Sequence, residues 1–118
     1  MNGDQIAEIR PAIREAIEGA PNTCVTLEVE GSLNKWMQVV DHTINAAYPH
    51  NDAPQQLINW PHRQISAKLV KWVPGKLATF EIGELEASTI SHWIDAYFVN
   101  VLGCPPGEYH LSVAFERL

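Results

Sequence analysis

The chain is 118 residues long, with 46% apolar and 19% charged residues, a balance suited to one globular domain over 1–118 rather than to disorder. Its net charge of -6 argues against a general nucleic-acid binder, which needs a basic surface for phosphate contacts. The same charge suits a soluble protein or one with a basic partner. Residues 4–19 predict a helix, because Ile6, Ile9, Ile13 and Ile17 follow one stripe and Asp4 is a suitable N-cap. Gly19 and Pro21 end it, and Pro11 inside it predicts a kink or a later start. Residues 23–30 alternate, with Val25, Leu27 and Val29 on one face and Thr26, Glu28 and Glu30 on the other, as in a strand with one wet face. Cys24 falls on the wet side of that alternation.

Residues 33–48 fit two structures. Leu33, Trp36, Met37, Val40, Ile44, Ala47 and Tyr48 match an amphipathic helix. The same stretch reads as a hairpin, KWMQVV and TINAAY about Asp41-His42, although a tight turn there lacks its preferred glycine. Residues 49–63 hold three prolines and predict a loop. Residues 64–73 and 77–83 read as strands joined through Val73-Pro74-Gly75-Lys76, with a connection longer than two residues. Residues 85–102 predict the second helix from Ile90, Trp93, Ile94, Tyr97, Phe98, Val101 and Leu102, with Gly103 just past its end. Tyr109, Leu111, Val113 and Phe115 alternate in a closing strand at 109–116. The expected fold is α+β: an antiparallel sheet of about five to six strands with two main helices, 4–19 and 85–102, packed on one face.

No arrangement with strong catalytic spacing is present. His50, Asp52 and His62 share one loop and make the best candidate metal set, but scattered loop histidines are more often solvent-facing. Ser88 and Ser91 adjoin His92 on a predicted helix surface, without a nucleophile elbow. Cys24 and Cys104 form no C-x-x-C and are expected to be reduced thiols. Cys104 follows a helix C-terminus, which disfavours a thiolate. Glu28 with Glu30, and Glu84 with Glu86, read as a wet strand face and a favourable helix start. No cofactor is implied. The first ten residues lack the apolar core of a signal peptide and no apolar run reaches a membrane span, so a cytoplasmic protein without membrane or nucleic-acid partners is expected.

The candidate recognition residues are tryptophans and one helix face. Trp93 belongs to an apolar stripe. Trp72 falls on the polar side of its strand by alternation, and Trp60 lies in the proline-rich loop; exposed tryptophan is enriched at binding hot spots. The alternative is that the 49–63 loop folds over both. On the second helix, Ser88, Ser91, His92, Asp95, Ala96, Val99 and Asn100 form a lightly charged outer face on which a second subunit could pack, so His92, Ala96 and Val99 join Trp60 and Trp72 as candidate partner-binding residues.

The stripe Ile6–Ile17, the segments VTLEVEGS, KWMQVV and TINAAYP, and FEIGE leading into TISHWIDAYFVNVLG resemble, in their order, the α/β fold of type III secretion chaperones and the related YbjN-like and toxin-chaperone domains. The resemblance covers roughly residues 4–48 and 77–103, and it favours the hairpin over 33–48. It departs from the family in a proline-rich loop where a middle helix is usual and in the added strand YHLSVAFE. It implies a small acidic protein that holds an effector segment without a cofactor. The first expectation is therefore a non-catalytic, chaperone-like or adaptor domain, dimeric, with an apolar groove near Trp60 and Trp72 and strand addition at a sheet edge. A second is an immunity or inhibitor protein capping a toxin through Glu28, Glu30, Glu84 and Glu86. A third is a small metal-dependent enzyme built on His50, Asp52 and His62.

Overall fold

A computed structural model describes residues 2–19, 23–32, 34–50, 68–82, 87–105 and 108–117. In chain order they form α1 (Asn2–Glu18), β1 (Thr23–Val29), β2 (Trp36–Val40), β3 (Thr43–Ala47), β4 (Lys68–Val73), β5 (Leu77–Glu81), α2 (Ala87–Asn100) and β6 (Leu111–Arg117). The six strands make one antiparallel sheet in the order β4-β5-β3-β2-β1-β6, with the two helices against it, as the α+β pattern predicts. Residues 33–48 form the hairpin β2–β3 rather than a helix. Its two-residue loop is closed by Asp41 at φ 51°, a left-handed conformation that Asp tolerates better than most side chains. The β4–β5 loop is three residues long, with Gly75 at φ 73° and Lys76 N–H donating to Val73 C=O at 3.0 Å.

Pro11 neither delays nor ends α1, which runs through it from Asn2. Its ring removes one intrahelical donor, and Ala7 C=O loses that partner on an exposed turn. At the end of α2, Gly103 turns at φ 76° and Cys104 N–H donates back to Phe98 C=O at 2.9 Å.

The register places the inward residues in two rows across the sheet. Phe115, Val25, Val39, Ile44, Phe80 and Leu69 form one; Val113, Leu27, Met37, Ala46, Ala78 and Trp72 form the other. α1 packs on β1, on β2 and beside α2. α2 lies over β3 and β5: Trp93 and Tyr97 meet Phe80 with ring centroids 5.2 and 5.9 Å away, and the Tyr97 hydroxyl donates to Ala47 C=O at 2.8 Å. The opposite face is polar along its middle row, Ala114, Thr26, Gln38, Asn45, Thr79 and Lys71, where the Thr79 hydroxyl donates to Asn45 Oδ1 at 2.7 Å. Cys24 belongs by register to this outer face yet is buried, which corrects its expected wet position.

Coverage of the sheet is unequal. Six strands at about 4.8 Å spacing spread over roughly 29 Å, whereas two helices of about 10 Å width cover roughly 20 Å. Among the described residues, the two helices therefore do not span the full width of the sheet.

Candidate functional site

The structure describes only part of the set expected to recognise a partner. Trp60 lies outside the described residues, as do Asp52, His62, Glu84 and Glu86. Trp72 points to the helix side, not to the polar side. A bulge between Leu69 and Lys71 inserts Val70 as an extra residue, so alternation slips by one and Trp72 faces Ala78 in the inner row. There it is half-buried against the core and meets Tyr48 edge-on at 6.2 Å. On α2, His92 is exposed and Val99 half-buried, but Ala96 is only 6% exposed and Ser91 is fully buried, with its hydroxyl bonded to Ala87 C=O at 2.6 Å. Ser88 and Asp95 are half-buried and Asn100 exposed, so the face is open only in part. His50 is half-buried, and its Nε2–H donates to Val101 C=O at 2.7 Å, which ties β3's exit to the end of α2. Among the described residues no group of three or more His, Cys, Asp or Glu is arranged to hold a metal ion.

The open site lies instead at the other edge, between α1 and β6. Along β6 the inward side chains emerge progressively: Leu111 is 6% exposed, Val113 37% and Phe115 54%. Facing them across a groove of about 720 Å³ are Glu8, Pro11, Ala12 and Glu15 of α1, with Thr23 of β1 and Glu116 at the β6 end. Val113 and Phe115 sit in the same rows as the core residues Leu27 and Val25, so they are core-type side chains that the helix layer does not reach.

Half of the backbone groups of that edge point away from the sheet. His110 C=O accepts the Glu30 N–H at 2.9 Å, which sets the phase of the β1–β6 ladder. Ser112, Ala114 and Glu116 then exchange their backbone bonds with β1, while Leu111, Val113 and Phe115 direct theirs outward. The Leu111 N–H does point outward, donating to Glu8 Oε1 at 3.2 Å. Among the described residues no strand follows β6 on its outer side. The opposite edge, β4, differs: its bulge leaves Val70 53% exposed, and Lys71 is exposed beside it. Bulges and lysines are devices that discourage strand pairing, and β6 has no register shift against β1.

Two phenols and two thiols of the core are pushed towards their neutral forms. Burial raises the Tyr97 hydroxyl well above its ordinary range. Burial and the adjacent Asp95 carboxylate, which accepts the Tyr109 hydroxyl at 2.5 Å, do the same to Tyr109. Burial pushes the Cys24 thiol up, against a hydrogen bond to Thr26; it also pushes up Cys104, against the pull of Lys35. Neither thiol is an activated nucleophile.

The groove was hidden from sequence reasoning because LSVAFER reads as an ordinary strand with one apolar face. The available signal was the ratio of elements, five or six strands to two helices. Which strand would overhang depends on β6 returning to pair with β1, a long-range choice. Among the described residues no helix is long and apolar enough to cross a membrane. Comparison with protein-family models, with curated proteins and with solved structures finds no match to this chain.

Proposed function

We propose that the protein is a binding domain that holds an extended segment of a partner protein by adding it as a seventh strand beside β6. The observation that carries this reading is the pairing, on one edge, of outward backbone groups at Val113 and Phe115 with their half-open apolar side chains. Main-chain bonds supply affinity in such additions, and pockets for alternate side chains supply selectivity. Full burial of a Val or Phe side chain is worth roughly 1.5–3 kcal/mol, and a bound strand completes a burial that the fold leaves unfinished. The reading agrees with the chaperone-like or adaptor role implied by the sequence resemblance, but moves the contact from Trp60 and Trp72 to β6.

Proline separates this role from simple hydrophobic adhesion. Val113→Pro removes an outward N–H but no bond to β1, because the ladder phase leaves that donor on the free side. The variant is expected to keep its fold by circular dichroism and to lose at least ~10-fold of the partner recovered by wild type from lysate of the native host; one tenfold step corresponds to about 1.4 kcal/mol. Val113→Ala is the comparison, since it trims the side chain and keeps the donor. A folded Val113→Pro that retains partner as wild type does would overturn strand addition.

A further inference from the structure

We infer that the segment received beside β6 carries, on its inward face, a cationic, an apolar and a second cationic side chain at alternate positions. This rests on the strand-addition reading and specifies the chemistry of the occupant. The wall of the groove opposite β6 is one stripe of α1. Glu8 stands at one end, Pro11 and Ala12 in the middle and Glu15 at the other. Glu8 and Glu15 are seven residues apart, so at 1.5 Å per residue they lie roughly 10 Å apart along the helix. Side chains at positions i and i+4 of a strand share a face about 13 Å apart, and the flexible stems of lysine or arginine absorb that difference. The middle residue, i+2, then meets Pro11 and Ala12 on one side and Val113 and Phe115 on the other.

Among the described lining residues the charge is of one sign. Glu8 and Glu15 reach the groove from α1, and its described lining contains no lysine, arginine or histidine. Glu15 is exposed, and Glu8 spends one oxygen on the Leu111 N–H while its second oxygen remains to receive a cation. An acidic or neutral strand would leave these carboxylates facing like charge or nothing. A second copy of this chain carries the same -6 charge and would set one acidic groove against another, so a basic partner is the better occupant.

The test uses the full chain, labelled with ¹⁵N, and three synthetic heptapeptides: Thr-Lys-Thr-Leu-Thr-Lys-Thr, its counterpart with Glu in place of Lys, and one with Ser in place of Leu. The lysine peptide is expected to shift the Val113 and Phe115 amides and to bind at least tenfold more tightly than either other peptide. That preference over the glutamate peptide should shrink in high salt and vanish in the double variant Glu8→Gln, Glu15→Gln, whose fold is checked by its unchanged amide spectrum outside the groove. Equal binding of the lysine and glutamate peptides would overturn the charge pattern and leave strand addition standing. Shifts confined to residues away from β6 would overturn the pattern and the site together. A concentration-dependent dimer in sedimentation that Val113→Pro dissolves would show that a second copy, not a basic segment, is the occupant.

Discussion

Tyr97 and Tyr109 show how single side chains are fixed to the neutral state. Each hydroxyl is already committed, one to Ala47 C=O and the other to Asp95, and ionising either inside the core would strand a charge. Their folded pKa values are raised above the unfolded value of 10.0. Between that value and the raised folded values the native state holds protons that the unfolded chain has released, so ν_U is smaller than ν_N and stability falls as pH rises. This contribution is fully present below about pH 10 and is lost on the alkaline side. Absorbance titration at 295 nm is expected to show these two phenols ionising only together with unfolding followed by circular dichroism. Smooth ionisation near pH 10 with the fold intact would contradict their burial. Cys24 and Cys104 belong to the same pattern: a disulfide reagent should label neither at an appreciable rate until denaturant is added.

At the scale of elements, the β2–β3 hairpin depends on Asp41 holding a left-handed φ of 51°. Asp41→Val places a β-branched side chain there and should cost about 1–2 kcal/mol in urea unfolding, with Asp41→Asn within about 0.5 kcal/mol of wild type. An unchanged stability for the valine variant would show that the loop adopts another turn. The elements themselves were legible in the sequence, because alternation in TCVTLEV and the helical stripe through Trp93 and Tyr97 encode which face is buried. The side of Trp72 was not legible, since a bulge inserts one residue and leaves no local mark. The apparent openness of Ala96 and Ser91 failed for a different reason: small side chains let a neighbour pack closely, and composition alone cannot separate a face that is bare from one that is covered.

At the scale of the whole molecule, the helix layer and the sheet differ in width. Among the described residues two helices face six strands, and the two sheet edges are left differently exposed. At β4, a bulge and Lys71 blunt the edge; at β6, a regular seven-residue strand ends the sheet with Val113 and Phe115 half-open beside an acidic helix stripe. One edge is irregular and the other regular, and the proposed strand addition uses the regular one. Amide hydrogen exchange of β6, read residue by residue in the free protein and with the lysine heptapeptide, tests that claim most directly. In the free protein Ser112, Ala114 and Glu116 should be protected by β1 while Val113 and Phe115 exchange rapidly, and the peptide should protect Val113 and Phe115 without altering the other three. Equal protection of all five amides in the free protein, or rapid exchange of Val113 and Phe115 with the peptide bound, would contradict it.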